Sequence, residues 1–415
     1  MKQLAATAVL LACSNGSEPP LDAGNDVAID VTCANPNALD AGPGQLELPR
    51  PTGPYALGTQ TRVVVDTSRT DPQAPDPSSP RTLLVQLVYP SDACATGSMA
   101  PYLHTAEGNS LAPLGLPNNW QASVLTHERD SVPLSADGVK FPVVLFSPGL
   151  GGEVGDYTNF LEDLASNGFV VVAINHPFDA AALTFPDGGV DTWNPNWEAD
   201  AAAGAQAVDT TLDQHITAWV VDSQFVLGQL TQWEQSDPLL QDHLDLAHIG
   251  AFGHSYGGAT AAELCATDSR VIAGINLDGT FYSPSCLPET SAFLPCADGG
   301  RSLATPFMIQ TNASHGLGNV VDPTITNLYD RLQDAGYIVT LAKSVHLTFM
   351  DIGYDVTFFE DAGVAAATFG YIDPTRALTI IDAYTLAFFQ TYLKGMSSPL
   401  LAGPTPYGEV AFNKR

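Results

Sequence analysis

The sequence predicts an α/β fold, a mostly parallel central sheet with helices on both faces. Short aliphatic runs recur along the chain, segments with helical spacing separate most of them, and several runs end on glycine-containing loops. Strands buried on both faces read as continuous apolar runs, and parallel neighbours need a helix-sized connection between them. The predicted strands are Leu83–Tyr89, Phe141–Phe146, Phe169–Ile174, His248–Phe252, Val271–Leu277, Thr305–Gln310 and Tyr337–Ala342. Asp156–Asn167 brings Phe160, Leu161 and Leu164 together at helical spacing, and Gly168 ends it. A longer helix is predicted near Gln214–Leu230, and Ala259–Cys265 consists of good helix formers.

Composition narrows the function. The 415 residues carry 45 acidic against 15 basic side chains, a formal charge of −30. Nucleic acid binding needs concentrated Lys and Arg, whereas Lys2, Lys140, Lys343, Lys394 and Lys414 are scattered from end to end. A hydrophobic fraction of 45% with 14% charged residues is enough for a large core. The acidity reads as a solvated surface.

At the start, Met1-Lys2-Gln3 carries a positive charge, Leu4–Ala12 is a short apolar run, and Leu10-Leu11-Ala12-Cys13 closes it. The run is too short for a permanent transmembrane helix and reads as a secretory signal. It resembles the bacterial lipobox, which implies lipidation of Cys13; the alternative is a plain signal peptide with Cys13 incidental. Residues 14 to 50 are rich in Pro, Gly, Asp and Asn without a sustained apolar period, a composition that does not offset chain entropy. The expected organisation is a signal over 1–12, a disordered acidic tether over 13–50 and one catalytic domain over 51–415. An exported chain permits disulfides, and the short spacing favours pairing Cys286 with Cys296. Cys33 with Cys94 is a weaker pair, leaving Cys265 as a buried thiol. No Cys/His spacing suggests a metal, and no cofactor is expected.

After the His248–Phe252 strand comes Gly253-His254-Ser255-Tyr256-Gly257-Gly258, followed by a helix. This is G-x-S-x-G in its strand, turn and helix context, where Gly253 and Gly257 leave room for neighbouring backbone and Ser255 is exposed as a nucleophile. In the α/β-hydrolase fold the order is Ser, acid, His, so the histidine lies beyond Ser255. His346, after the last predicted strand, is favoured over His315. The acid often follows the strand that here is Thr305–Gln310, but Thr311-Asn312-Ala313-Ser314 holds no carboxylate. One strand earlier, Asp278 sits at a carboxyl end, the sheet edge where open α/β sheets place their sites; Asp322 is the alternative. Ser147-Pro148-Gly149-Leu150-Gly151-Gly152 follows an earlier strand, and the expected oxyanion hole is the amides of Leu150 and Tyr256.

These residues resemble the plasma-type platelet-activating factor acetylhydrolases and their bacterial relatives. The resemblance runs from Leu87-Val88-Tyr89-Pro90 through Phe146–Gly152, Asp163–Phe169, Asn175-His176-Pro177, Gly253–Gly258 and Leu277-Asp278 to Ser344–Phe349. It implies hydrolysis of short or oxidised acyl esters, phospholipids included, with the triad on Ser255, Asp278 and His346. Residues 102–139 and 185–209 depart from the pattern, so acyl-pocket or lid contacts are expected there, with Trp193 and Trp197 as substrate-facing or packing residues. The alternatives are a lipase or cutinase-like polyester hydrolase, and a tethered binding protein that has lost catalysis. The expected location is the cell envelope, as an outer-membrane lipoprotein, or secretion. A lipid anchor would be the membrane contact, since an acidic surface disfavours anionic lipid.

Overall fold

The aliphatic runs become the strands of one sheet. The computed structural model describes residues 37, 39, 41–93, 95–194, 205–281, 302–313, 323–359 and 369–415. The signal at 1–12, Cys13, Cys33, Cys94, Trp197, Cys286, Cys296, His315 and Asp322 lie outside them, as does most of the expected tether. In chain order the elements are β1 (Leu46–Glu47), β2 (Ala56–Thr70), β3 (Pro80–Ser91), β4 (Met99–Pro101), α1 (Thr105–Ser110), β5 (Val124–Asp130), β6 (Phe141–Ser147), α2 (Thr158–Ser166), β7 (Val170–Asn175), β8 (Ala182–Thr184) and β9 (Val190–Thr192). They continue through α3 (Ala205–Ser236), β10 (Leu244–His254), α4 (Tyr256–Thr267), β11 (Val271–Leu277), β12 (Phe307–Asn312), α5 (Pro323–Arg331), β13 (Gly336–Leu341), α6 (Ile352–Phe359), α7 (Pro374–Lys394) and β14 (Val410–Lys414).

Among the described residues the sheet has 12 strands in the order β1-β5-β2-β3-β7-β6-β10-β11-β12-β13-β14, with β4 on β5. From β7 to β13 the neighbours are parallel, and β2–β3, β3–β7 and β13–β14 are antiparallel. Alternate strand residues feed two cores. Val144, Phe146, Val171 and Phe252 pack with α2 and α7, whereas Val143, Leu145, Val172 and Ala251 pack with α3 and α4. Cys265 is a free, buried thiol on α4, and burial pushes it up to about 12.

Three sequence expectations shift. Residues 41–50, assigned to the tether, enter the fold: Leu46 and Leu48 are buried and β1 pairs in parallel with β5. Two leucines make no period, so composition hid them. The strand expected at Thr305–Gln310 runs Phe307–Asn312, because Thr311 and Asn312 are buried and paired with β13 despite their polarity. The helix expected at Gln214–Leu230 spans Ala205–Ser236.

Behind the carboxyl ends of β6 and β7 lies a buried ionic network. Arg81 bonds Asp222 and Asp71 at 2.8 Å each, and Arg69 also reaches Asp222. Burial alone would push the Asp222 carboxyl up, but the Arg81 guanidinium holds it well below the ordinary range. Five other carboxyls have no guanidinium partner among the described residues. Burial pushes Asp156 up to about 6, and pushes Glu153, Asp351, Asp355 and Asp382 well above the usual carboxyl value.

Glu128 makes the consequence testable. One oxygen accepts from Gln86 at 3.1 Å and the other has no partner among the described residues. Burial, reinforced by Glu162, pushes this carboxyl up to about 8, against about 4.3 in an unfolded chain. Its stabilising contribution is therefore fully present below the unfolded value and is lost as pH rises through the folded one. Glu128→Gln, neutral throughout, should melt level with the wild type near about pH 4 and higher at about pH 9. Parallel curves of melting temperature against pH for the two proteins would count against this account.

Candidate active site

Strand β10 ends at His254, α4 begins at Tyr256, and Ser255 between them has φ 53° and ψ −116°. L-residues rarely adopt that region, and it persists only where the surroundings over-determine it. Here the surroundings are backbone. A Cβ at Gly257 would lie 2.0 Å from the Ser147 carbonyl oxygen, and one at Gly253 would lie 2.5 Å from the same atom. On the other side a Cβ at Gly279 would lie 2.1 Å from the Ser255 carbonyl oxygen, while the Ser255 amide donates to Leu277 at 2.8 Å. The turn is thus wedged between the ends of β6 and β11.

His346 opens a short 3₁₀ turn, His346–Phe349, after β13. Its Nε2 lies 2.9 Å from Ser255 Oγ and its Nδ1 2.8 Å from Asp278 Oδ2. The Asp278 side chain is 0% exposed and that of His346 43%, so the acid is shut from water while the imidazole faces it. With Nδ1–H donating to the carboxylate, Nε2 is the acceptor for the serine hydroxyl.

Asp278 is held on its other side by residues that sequence reasoning passed over. Oδ1 accepts from the Asn312 amide at 2.7 Å and from Thr311 Oγ1 at 2.9 Å, and Oδ2 accepts from Asn312 Nδ2 at 2.8 Å. These two residues occupy the strand end where a carboxylate was first sought. The missing carboxylate was the available signal: a polar pair there has an acid to serve.

In the loop after β6, the Gly149 amide donates to Tyr157 Oη at 3.0 Å, that of Gly151 to the Asp179 carbonyl at 2.8 Å and that of Gly152 to the Gly149 carbonyl at 3.0 Å. The Leu150 amide has no such bond among the described residues. Tyr256 is the first residue of α4, where amides lack an intrahelical acceptor. The side chains of Leu150 and Tyr256 pack with Leu212, Ile216 and Trp219 of α3, and Trp193 packs against the same cluster. Trp219 Nε1 donates to Asp179 Oδ2 at 2.7 Å, tying α3 to the segment that holds Gly151. Of the departing segments, 102–139 sends Tyr102 and Trp120 into the main core.

A second Ser-His-Asp arrangement lies behind this loop. His176 Nε2 is 3.2 Å from Ser147 Oγ and its Nδ1 2.8 Å from Asp222 Oδ2. All three residues are buried, and burial pushes the His176 imidazole down. No ester reaches this serine; the set anchors the end of β6. Among the described residues no group of three or more His, Cys, Asp or Glu side chains is arranged to hold a metal ion.

A family model described as platelet-activating factor acetylhydrolase, isoform II, matches residues 42–189 and 219–397. The chain belongs to this family. It is 25% identical over 402 residues to an Arthroderma benhamiae protein named probable 1-alkyl-2-acetylglycerophosphocholine esterase, across 89% of this chain and 94% of that one. To the platelet-activating factor acetylhydrolase of Bos taurus it is 26% identical over 281 residues, which span 62% of this chain and 58% of the bovine protein. Among solved structures, a ferulic acid esterase from Streptomyces cinnamoneus matches with TM-score 0.71 and 31% identity, over 89% of this chain and 99% of that one. This member of the acetylhydrolase family is therefore a serine ester hydrolase of α/β-hydrolase fold.

Asn312→Ala removes one donor from the buried carboxylate and leaves the main chain in place. A lost hydrogen bond to a charged group is worth about 1.5–3 kcal/mol, so kcat on a short p-nitrophenyl ester should fall about ten- to a hundredfold at similar KM. An unchanged kcat would show that the amide does not hold Asp278 for catalysis.

Proposed function

We propose that Ser255 is the nucleophile, His346 the general base and Asp278 the acid that orients it, in an esterase acting on short or oxidised acyl esters that include phospholipids. The observation that carries the roles is the bonded series Ser255 Oγ, His346, Asp278, with a buried acid and an exposed imidazole. His346 Nε2 takes the hydroxyl proton as Ser255 Oγ attacks the ester carbonyl. The amides of Leu150 and Tyr256 stabilise the oxygen that becomes negative, and Asp278 stabilises the imidazolium. The intermediate expels the alcohol, which takes the proton back from His346 and leaves an acyl-serine. Water deprotonated by His346 then attacks, and the acid leaves as Ser255 recovers its proton.

The family and the names of the fungal and bovine relatives support an acetyl or similarly short acyl group on a glycerophospholipid. A second reading is a hydroxycinnamoyl ester. It draws on the identity to the ferulic acid esterase and on the part-buried Trp193 and Leu150 packed on the same cluster as Tyr256, an aromatic and an aliphatic surface suited to a flat acyl group. For location, the Leu10–Cys13 sequence supports an exported, lipid-anchored protein. Mass spectrometry of the mature N-terminus tests this: a diacylated Cys13 is expected, and an unmodified N-terminus at another residue would overturn it.

Ser255→Ala should lower turnover of a short p-nitrophenyl ester by about a thousandfold or more and abolish fluorophosphonate labelling without unfolding the protein. Retained labelling would remove Ser255 from its role. Among esters from acetyl to palmitoyl, tested beside an oxidised phosphatidylcholine and methyl ferulate, kcat/KM should be greatest for the shortest chains and the oxidised lipid. A maximum at palmitoyl would favour a lipase, and a maximum at ferulate would favour the second reading.

A further inference from the structure

The residue between glycine and serine in the elbow takes part in a hydrogen-bond series that the mechanism above does not use. The Gly149 amide lies 3.0 Å from Tyr157 Oη, Tyr157 Oη lies 2.9 Å from His254 Nδ1, and His254 Nε2 lies 3.1 Å from the His346 carbonyl oxygen. The two ends set its direction. A carbonyl oxygen only accepts, so His254 carries a proton on Nε2; an amide only donates, so Tyr157 Oη accepts from Gly149. With one proton on the ring, His254 Nδ1 is the acceptor for the Tyr157 hydroxyl hydrogen. Every group in the series then finds a partner of the right kind. Tyr157 is 0% exposed and His254 2%, so water does not compete for these bonds and leaving one unmade is expensive.

The series touches the site at two places. Gly149 precedes Leu150, and the Gly151 amide beyond it is held by the Asp179 carbonyl at 2.8 Å, so the Leu150 amide is bracketed by two anchored neighbours. The loop rests directly on the pair, since a Cβ at Gly149 would lie 3.0 Å from His254 Nδ1 and 3.2 Å from Tyr157 Oη. At the other end, the His254 and His346 rings are 4.5 Å apart between centroids, and the bond to the His346 carbonyl holds the main chain from which the imidazole projects.

We propose that Tyr157 and His254 are positioning residues that set the oxyanion loop and the catalytic histidine relative to each other through one directed series of hydrogen bonds. The proposal rests on the roles assigned above to Ser255, His346 and Leu150. It requires at the elbow a side chain with an acceptor and a donor on a rigid frame, which imidazole supplies. Gln reaches the His346 carbonyl with its amide but loses the nearer acceptor for Tyr157. The two residues act as a unit, so breaking the series twice should do no more than breaking it once.

The test compares Tyr157→Phe, His254→Gln and the double variant on p-nitrophenyl acetate, with kcat expressed per fluorophosphonate-labelled site so that only folded enzyme is counted. Each single variant should lose about tenfold or more in kcat with KM within about twofold, and the double variant should be no slower than the slower single one. A residue that merely supports the fold would lower the labelled fraction and leave kcat per labelled site at the wild-type value. That result, or fully additive losses in the double variant, overturns the proposal. Ser255→Ala separates the two levels: if it still labels or turns over, the reading beneath the proposal has failed. If it is inert while both single variants keep wild-type kcat per site, the positioning proposal alone has failed.

Discussion

The contact on which the site depends is the approach of one backbone to another where side chains are missing. Gly253 and Gly257 both face the Ser147 carbonyl oxygen at distances that exclude a Cβ. This closeness forces Ser255 into its positive φ and brings the loop after β6 within reach of its side chain. The sheet supplies the rigidity: β6, β10 and β11 are parallel neighbours in fixed register, with Phe252 opposite Phe146 and Ile275. Three strands therefore release three functional segments at one edge, as parallel sheets do.

Around that edge, buried polar groups are satisfied in layers. Asp278 takes donors from His346, Asn312 and Thr311. The Ser147 hydroxyl meets His176, which meets Asp222, which meets Arg81. Trp219 stacks on His176 with ring centroids 3.9 Å apart and also bonds Asp179, so α3 stiffens the loop that carries Leu150 from outside. Because an unsatisfied buried polar group is expensive, these layers favour one arrangement over near alternatives.

How much of this was legible depends on whether the signal was local. The Ser255 elbow could be read because strand, glycines and helix lie within a few residues, and His346 because chain order left two histidines. Asp278 was reached by elimination, and it is the carboxylate that meets His346. Asn312 escaped because a polar residue at the end of an apolar run looks like the start of a loop, whereas its partner lies 34 positions away. Tyr157 and His254 escaped for the same reason: their bonds span 97 residues, and no spacing rule connects them. The strands β2, β5 and β14 were passed over because their polar faces interrupt the apolar runs that betray central strands. Acyl-group preference was illegible because the apolar cluster of Leu150, α3 and Trp193 next to Tyr256 is brought together only by the fold.

The formal charge of −30 counts every carboxyl as ionised. In the folded protein Glu128 is buried and pushed up to about 8, so near neutrality the native state retains a proton that an unfolded chain gives up. Unfolding is then also an acid dissociation. The heat absorbed on melting includes the heat of protonating the buffer, and the apparent enthalpy belongs jointly to the protein and to the solution that receives its proton.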